Sequence, residues 1–219
     1  MTPTPLPPGQ AAAPLHRFGL PRFAARLPRV PDDPAVTVTG AVRRPSQYRA
    51  ADLTALPGRA EHRADLHCVT TWSALDLRWT GVPFAAVHAH LAERAGVSAR
   101  ARWVAFTGLD GYRATLRLDD ALVAGVVLAD SLDGRPLTAA EGGPLRLAAP
   151  AQYGYKSVKH VYAIEYLTRY DAGSAGWLAH PRGRVDREER SLYLPGRVWR
   201  PLWRALLPRV RRVYYSSAV

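Results

Sequence analysis

Short segments in which apolar and polar residues alternate, separated by turn residues, constrain the fold of this chain most strongly. In residues 112–118, Tyr, Ala, Leu and Leu alternate with Arg, Thr and Arg, and residues 36–42 show the same two-residue period. Such alternation predicts strands with one buried face. Further strands are predicted from apolar segments at 102–107, 126–128, 145–147 and 161–167. We therefore expect an α+β domain dominated by a mixed or barrel-like β-sheet, with short helices.

The clearest predicted helix spans residues 83–96. Pro83 is typical of a first helical turn and Gly96 of a helix end, and the apolar residues between them fall on one face. His88 and His90 are two residues apart, so they cannot share a helix face as metal ligands must. We expect both at the surface or at an edge. Shorter helices are predicted at 52–58 and from 119 onward.

The last part of the chain is basic and differs from the rest. Residues 186–190 are mostly charged and are predicted to be helical. Residues 197–213 carry apolar residues at helical spacing with arginines between them, and Pro208 predicts a break. This basic amphipathic segment has two interpretations: it lies on a membrane surface, or it packs against its own domain with its arginines in water. We favour packing, because tryptophan at helical spacing is most often a packing residue.

The net charge of +12 lies in the two ends of the chain. Residues 1–31 contain four arginines and no acidic residue, residues 181–219 contain ten arginines and three acidic residues, and residues 32–180 are nearly neutral. This distribution, and the lack of aromatic RNA-binding motifs or paired Cys/His ligands, argues against nucleic acid as a partner. We predict a Pro- and Arg-rich arm at 1–31, a central domain at 32–170 and a basic extension at 171–219.

The arm is predicted to be extended, because its prolines are too frequent for a helix, with Arg17, Phe18 and Phe23 as candidate anchors. The chain has no apolar run approaching the roughly 18 residues of a membrane-spanning helix. Its first residues, Met-Thr-Pro-Thr-Pro, lack the basic and apolar regions of a signal peptide. We therefore expect a cytoplasmic protein.

Cys68 is the single cysteine, which excludes an internal disulfide and any metal site held by several thiolates of one chain. It ends an apolar segment and is followed closely by Trp72 and Trp79. A lone cysteine is usually an inert, small apolar residue, and base rates alone favour that interpretation. Residues elsewhere in the chain give a reason to prefer a functional role.

Residues 154–159 read Gly-Tyr-Lys-Ser-Val-Lys and precede a predicted strand. A loop of this composition can bind a phosphate through backbone N–H groups, a hydroxyl and lysine charge, although it lacks the spacing of a P-loop. The alternative is a solvated basic turn, and composition alone does not decide between them. Arg146 lies within an apolar segment, which indicates a buried anionic partner.

Together these segments resemble the molybdopterin-binding domain of the sulfite oxidase family, especially its bacterial methionine-sulfoxide-reductase-like branch. The resemblance covers about residues 17–170, and the order and spacing of several motifs carry it. The matching segments are 36–42, 67–73, 79–83, 110–116, 133–137, 142–147 and 154–160.

The resemblance implies a role for each candidate residue. Cys68 matches the family's thiolate ligand of molybdenum, and Tyr112 matches a tyrosine at the metal pocket, where it would contact an oxo ligand or the substrate. The expected cofactor is therefore molybdenum bound to molybdopterin. The residues expected to contact the pterin and its phosphate are Thr107, Arg146, Lys156, Ser157, Val158 and Lys159. The alternative interpretation of Tyr112 is that it is simply the inward residue of a strand.

The chain departs from the family pattern at several positions. Sulfite oxidases have a substrate-binding arginine shortly after the cysteine, whereas the first arginine after Cys68 is Arg78. Sulfite is therefore not the expected substrate. Glu141 stands where the reductase branch has an asparagine. The family's haem domain and dimerisation domain are absent, so we expect an external electron-transfer partner that the basic extension could bind.

Three hypotheses follow. The first is a molybdopterin-dependent oxidoreductase that carries out two-electron, oxygen-atom-transfer chemistry on a small-molecule substrate. The second is a non-catalytic member of the fold that binds nucleic acid or a membrane surface through its basic ends. The third is a thiol enzyme using Cys68 and His67, which is disfavoured because adjacent residues of a strand point to opposite faces.

Overall fold

A computed structural model describes residues 6–15, 23, 27–176 and 179–216, and these residues form two β-sheets with few helices. The strands are β1 (Ala11–Ala12), β2 (Ala35–Gly40), β3 (Ser46–Arg49), β4 (Ala60–His67), β5 (Trp72–Pro83), β6 (Trp103–Gly108), β7 (Arg113–Arg117), β8 (Val127–Leu132), β9 (Arg135–Pro136), β10 (Arg146–Ala148) and β11 (Val161–Leu167). The helices are α1 (Ala50–Thr54), α2 (Phe84–Ala95), α3 (Leu118–Ala121) and α4 (Gly196–Ser216). Two 3₁₀ turns lie at Gly154–Lys156 and Gly173–Ala175. The predicted β-dominated α+β fold is confirmed.

Both sheets are mixed. In the first sheet β1, β5, β8 and β10 are neighbours in that order, β4 pairs with β5, and β9 pairs with β8. In the second sheet the order is β3, β2, β11, β6 and β7. The pairs β1–β5 and β2–β11 are parallel, whereas the other pairs are antiparallel. β5 is the centre of the first sheet, because it contacts β1, β4 and β8.

The first sheet is buried on both faces. Along β8, Leu128 joins the core that the sheet shares with β2, β6, β7 and β11, whereas Val127 and Ala129 join a second cluster on the opposite face. Trp72 and Trp79 of β5 are the largest side chains of this second cluster. Cys68 packs against the same cluster, so the candidate site lies on that face.

The predicted helix at 83–96 is confirmed as α2, which begins directly after Pro83 and ends before Gly96. Gly96 has φ 71°, a left-handed conformation that glycine adopts without steric cost. The expectation for His88 was wrong: it is half-buried, and its Nδ1 lies 2.9 Å from the Tyr166 hydroxyl. His90 is half-buried as well, with its ring 5.6 Å from that of Tyr48, so neither histidine is a simple surface residue.

Two predictions for the basic extension were wrong. Residues 186–190 form a turn rather than a helix, because Glu188 adopts a left-handed φ of 50° and its carboxylate binds Arg200. Pro208 does not break the last helix, since α4 continues through both Pro201 and Pro208. A proline removes a backbone hydrogen bond and bends a helix, but the rest of the helix can continue.

The amino-terminal arm was expected to be extended and anchored by aromatic residues. The ring of Phe23 does pack edge-on against Tyr112 with centroids 5.3 Å apart, whereas Arg17 and Phe18 lie outside the described residues. Strand β1 was not predicted, because its Pro- and Ala-rich surroundings show no strand pattern. Within the described part of the chain, no helix is long and apolar enough to cross a membrane.

Candidate functional site

Cys68 lies in the tight turn that connects β4 to β5. Its N–H donates to the Trp72 carbonyl at 2.8 Å, and its own carbonyl accepts from the Thr71 N–H at 3.2 Å. Thr71 has φ 76°, a conformation that a β-branched residue rarely adopts. Such backbone strain is often found at functional sites. The turn thus holds the Cys68 backbone in one place at the end of the central strand of the sheet.

The Cys68 thiol has a polar neighbour within an apolar surrounding. Its Sγ lies 3.1 Å from the Thr70 hydroxyl. Burial raises the pKa of Cys68, while the hydrogen bond from Thr70 and the positive charge of Arg190 oppose that rise. The thiol is therefore protonated at neutral pH in the protein alone, and coordination to a metal ion would deprotonate it.

Arg190 connects the Cys68 turn to the basic extension. It is 3% exposed. Its Nη1 donates to the Val69 carbonyl at 2.7 Å, and its Nη2 donates to the Pro8 carbonyl at 3.1 Å. Its guanidinium carbon lies 4.9 Å from the ring centroid of Tyr153. Sequence reasoning missed this residue, because it lies in a charged run that gave no sign of burial.

The amino-terminal segment also contacts the Cys68 turn. Gln10 Nε2 donates to the Cys68 carbonyl at 3.1 Å, and Ala11 N–H donates to the Thr71 carbonyl at 3.0 Å. Strand β1 then runs parallel to the start of β5, pairing Ala11 with Trp72. The two ends of the chain therefore complete the surroundings of Cys68.

Arg146 projects from β10 onto the same face as Cys68. Leu147 belongs to the main core and Ala148 to the second cluster, so strand alternation places Arg146 on the side of the second cluster. Its guanidinium carbon lies 5.0 Å from the ring centroid of Trp79, and its Nη1 donates to the Glu141 carbonyl at 2.6 Å. Arg146 is 1% exposed, and burial lowers its pKa to about 10.

Lys159 lies close to Arg146. Its ammonium group donates to the carbonyl of Ala140 at 2.7 Å, next along the chain to the Glu141 carbonyl that binds Arg146. Gly142 allows the close approach of this segment, because a Cβ there would lie 2.8 Å from the Lys159 Cβ. Two cations therefore converge on neighbouring, uncharged carbonyl groups.

The Glu141 side chain points elsewhere. Its carboxylate accepts hydrogen bonds from Arg135 at 2.6 and 2.8 Å and from the N–H and hydroxyl of Thr138. These bonds lower the pKa of Glu141 to about 2, with the Arg135 bond first among the causes. The carboxylate thus stabilises the turn that carries the acceptors of Arg146 and Lys159.

Ser157 and Val158 hold the loop to the sheet. The Ser157 hydroxyl accepts from the N–H of Ala149 at 3.1 Å. The Val158 carbonyl accepts from the N–H of Leu147 at 2.8 Å, and the Val158 side chain is buried in the main core. A cofactor contact of these two residues stays a prediction, and the structure gives each a clear part in positioning Lys159.

Lys156 lies in a different environment from Lys159. Its buried ammonium group donates to the carbonyls of Thr115 at 2.6 Å and Pro181 at 2.7 Å, and it lies near the rings of Tyr155 and Tyr170. Burial lowers the pKa of Lys156 to about 7. These contacts tie the loop to the basic extension and do not bring Lys156 to Lys159.

The other predicted site residues lie on the second sheet. The Tyr112 hydroxyl donates to the Tyr155 carbonyl at 2.6 Å, which links it to the 154–159 loop. The Thr107 hydroxyl accepts from Arg113 Nη1 at 3.3 Å. Arg113 also binds the carboxylates of Glu165 and Asp171, so Thr107 belongs to a charged network rather than to the Cys68 turn.

His67 does not form a pair with Cys68. Its Nδ1 lies 2.7 Å from the Ser73 hydroxyl, whereas the Cys68 Sγ lies next to Thr70. Burial lowers the pKa of His67, so the imidazole is held neutral. Among the described residues, no group of three or more His, Cys, Asp and Glu side chains could hold a metal ion. A metal at Cys68 therefore needs ligands that a cofactor brings.

Comparison with known proteins identifies a family match over most of these elements. Residues 24–175 match the model of the oxidoreductase molybdopterin binding domain. Gln10 and Arg190, which contact the Cys68 turn, lie outside the matched residues. Both ends of the chain therefore add contacts that the family model does not describe.

Similar sequences come from several bacteria. The chain is 39% identical over 136 residues to the uncharacterized oxidoreductase YuiH of Bacillus subtilis (strain 168), which covers 62% of this chain and 66% of that protein. It is 33% identical over 150 residues to the protein-methionine-sulfoxide reductase catalytic subunit MsrP of Xanthomonas campestris pv. campestris, covering 62% of this chain and 45% of that protein. The chain thus matches about half to two thirds of these relatives' lengths.

A solved structure shares the fold. The sulfane dehydrogenase SoxCD from Paracoccus pantotrophus superposes with a TM-score of 0.56 at 20% sequence identity, over 69% of this chain and 43% of that chain. At this identity the likeness concerns the fold alone. It supports the arrangement of the two sheets described above.

The donor set fits a molybdenum-bound pterin with a phosphate. Cys68 offers a thiol, and Arg146 and Lys159 offer two cations on neighbouring carbonyls, as a phosphate requires. Among the described residues, the Gln152 Oε1 and the Tyr153 hydroxyl are buried without a hydrogen-bond partner. Buried polar atoms of this kind are normally satisfied, and a polar cofactor would supply such partners.

Proposed function

The chain belongs to the oxidoreductase molybdopterin binding domain family, and from this premise we propose that it transfers an oxygen atom at a molybdenum ion coordinated by Cys68. The molybdenum cofactor is the group that this domain binds. When bound, it supplies a metal centre that exchanges two electrons with a substrate. The observation that carries the proposal is the Cys68 turn, which presents a thiol on the sheet face that also carries Arg146.

Each residue of the site has a distinct task in this proposal. The Cys68 thiol would lose its proton and hold the metal, while the Thr70 hydroxyl supports the sulfur at 3.1 Å. Arg146 and Lys159 would bind the phosphate, and Ser157 and its neighbours would fix the loop. The apolar side chains of the second cluster would exclude water from the metal.

We propose a neutral sulfoxide or N-oxide of a small molecule as the substrate. The residues that follow Cys68 in its turn are uncharged, and the guanidinium of Arg190 is engaged with two backbone carbonyls. Two of the three nitrogens of this guanidinium are thus already bonded to the protein, which leaves few donors for a free anion such as sulfite. The reductase MsrP acts, by its name, on protein methionine sulfoxide. An external protein would supply the electrons, and a cytoplasmic location stays a prediction.

Metal analysis is the decisive experiment. The wild-type chain, produced in cells that make the molybdenum cofactor, should contain molybdenum and pterin in stoichiometric amounts. Cys68→Ser should lose molybdenum while unfolding at nearly the same temperature, because serine replaces one atom and the Thr70 hydroxyl can bond its oxygen. A second variant, Thr70→Val, keeps the thiol but removes the hydroxyl beside it, and it should lower the metal content less than Cys68→Ser. A wild-type chain without molybdenum, or a Cys68→Ser variant with full content, contradicts the proposal.

Activity measurements then identify the substrate class. The metal-loaded protein should reduce small sulfoxides or N-oxides with an artificial electron donor, and it should oxidise sulfite poorly. Faster oxidation of sulfite than reduction of any oxide would contradict the substrate assignment while leaving the metal assignment intact.

A further inference from the structure

Five large apolar side chains are exposed together at the end of the chain. They are between 44% and 59% exposed, and they lie in the segment before α4 and in its first two turns. We call this set the tail surface, and it consists of Leu192, Tyr193, Leu194, Val198 and Leu202. An open groove of about 440 Å³ lies between residues 192–194 and the start of α4. Clustered apolar exposure of this kind indicates an interaction site.

The first turns of α4 have two different faces. On one face, the rings of Trp199 and Trp203 stack at 6.1 Å and are half-buried. On the same part of the helix, Arg200 Nε binds Glu188 at 2.8 Å, which anchors α4 to the preceding turn. Val198 and Leu202 are one turn apart and exposed, so they share a face that points to solvent.

The helix that carries part of the tail surface is strongly basic. Helix α4 contains six arginines and no acidic residue. Arg197 and Arg204 are exposed and share a different side of α4, roughly a third of a turn or more around the axis from Val198 and Leu202. The acidic residues nearest the groove are already neutralised, because Glu188 binds Arg200 and Glu189 binds Arg184. The apolar face of α4 is therefore flanked on one side by cations whose charge is available to a partner.

We propose that the tail surface binds the anionic headgroups of a lipid bilayer, with its apolar side chains in the interface. A basic helix that exposes aliphatic and aromatic residues is suited to such a surface, and anionic lipids attract its arginines. No described helix could span a bilayer, so the contact is peripheral. Nucleic acid fits less well, because exposed Leu and Val side chains gain little from a phosphate backbone.

Lipid binding at the tail surface would not involve the Cys68 site. The tail surface and the groove contain none of the residues assigned to the metal or the pterin. Glu188 lines the groove and binds Arg200, which anchors α4 to the turn before it. The proposal is therefore independent of the reaction at Cys68, and its test does not require the molybdenum cofactor.

Vesicle flotation tests the proposal directly. The full chain is mixed with phosphatidylcholine vesicles with or without phosphatidylglycerol. We expect the protein to float with the anionic vesicles and not with the neutral ones. Binding should weaken as the salt concentration rises, because salt screens the arginine charges.

Two double variants separate the apolar and the charged contributions. Val198→Asp with Leu202→Asp should weaken vesicle binding by roughly tenfold or more, because charged side chains enter the interface poorly. Arg197→Glu with Arg204→Glu should weaken it by roughly tenfold or more, since each cation contributes to the attraction of anionic lipid. Circular dichroism should show unchanged unfolding, because all four side chains are exposed.

Matched controls use exposed residues outside the tail surface. Leu75 and Val123 are 41% and 45% exposed, and their double replacement by Asp should leave vesicle binding unchanged. Arg94 and Arg100 are exposed arginines near the end of α2, and their double replacement by Glu controls for net charge. This second control should lower binding less than the change at Arg197 and Arg204.

Three outcomes would overturn the proposal. The first is that the wild-type chain does not bind anionic vesicles. The second is that the tail variants bind these vesicles as well as the wild type does. The third is lipid-independent dimerisation, detected by light scattering and lost in the Val198→Asp, Leu202→Asp variant, which would assign the patch to a second copy of the chain.

Discussion

The Arg190 Nη1 donates a hydrogen bond of 2.7 Å to the carbonyl of Val69, the residue that follows Cys68. The same guanidinium binds Pro8 in the amino-terminal segment. One buried side chain from the basic extension thus joins both ends of the chain to the turn that presents the thiol. Contacts from outside the family-matched residues 24–175 therefore hold a residue at the centre of the proposed site.

Replacing Arg190 by Met should loosen the Cys68 turn. Hydrogen bonds from a charged group contribute about 1.5–3 kcal/mol each, and the burial that lowers the pKa of Arg190 offsets part of this, so we expect a net loss of about 1–3 kcal/mol in the free energy of unfolding. Denaturant unfolding measures this loss. Limited proteolysis should also cut the segment around Pro8 sooner than in the wild type. Arg190→Lys keeps the charge, but a single ammonium group cannot bond both carbonyls as the planar guanidinium does. This variant should therefore have a stability between those of the wild type and Arg190→Met.

The metal-free protein should react slowly with thiol reagents. Because burial raises the pKa of Cys68, the thiolate fraction at neutral pH is smaller than that of a free cysteine. Alkylation by iodoacetamide, followed by mass spectrometry across pH, should therefore show a midpoint above that of a cysteine peptide. In Arg190→Met the midpoint should rise further, since the arginine charge lowers the pKa of the thiol. A midpoint below that of the peptide would contradict this account of the site.

Much of the fold was predictable because its local signals are strong. Residues 112–118 alternate with period two and form β7 at Arg113–Arg117, and helix α2 ends before Gly96 as its sequence predicts. The family could also be identified from ordered motifs around Cys68. These features depend on residues that are close together in the sequence, so they can be recognised from a single sequence.

The contacts that surround Cys68 could not be predicted in this way. Arg190 and Gln10 reach the turn from sequence distances of 121 and 58 residues, and no local pattern marks them. Lys156 and Lys159 look equivalent in the sequence, yet one binds Pro181 and the other Ala140. Tertiary packing determines these hydrogen-bond partners. It also explains why the charged residues 186–190 form a turn and not the predicted helix.

Lys156 makes the stability depend on pH. Burial lowers the pKa of Lys156 to about 7, below the 10.5 of a free lysine. Below the folded pKa the side chain is charged in both states, and its burial opposes folding fully. Between the two values the unfolded chain binds more protons, so this contribution makes the stability rise with pH. Lys156→Met should therefore gain most stability relative to the wild type at acidic pH, and denaturant titrations across pH test this. A pH-independent difference would contradict the assignment.

Glu141 should have the opposite pH dependence. Its pKa is lowered to about 2 by Arg135 and Thr138, so its ionised form stabilises the turn at neutral pH. This stability is present above the unfolded pKa and is lost as the pH falls through the folded value. Because Arg135 is half-exposed, we expect Glu141→Gln to lose only about 0.5–1 kcal/mol at neutral pH. Thermal unfolding of both proteins should converge under strongly acidic conditions.

Arg146 should separate stability from cofactor binding. Burial lowers its pKa to about 10, so the charged form is destabilised in the metal-free protein. A Met side chain of similar length can occupy the position beside Trp79 and pack against its ring. The replacement removes the cost of burying the charge, which offsets the loss of the hydrogen bond to the Glu141 carbonyl. Arg146→Met should therefore unfold at an equal or higher temperature without the cofactor.

The same variant should bind the cofactor poorly. If Arg146 binds the phosphate together with Lys159, its loss should reduce the pterin and molybdenum content of the protein as purified. Arg117→Met, at an exposed position, serves as the matched control and should keep the wild-type content. A variant that is strongly destabilised yet retains full pterin content would show that Arg146 serves the fold rather than the cofactor. We therefore expect Arg146→Met to be at least as stable as the wild type and to contain less pterin. This combination would show that the buried cation, together with Lys159, serves the cofactor.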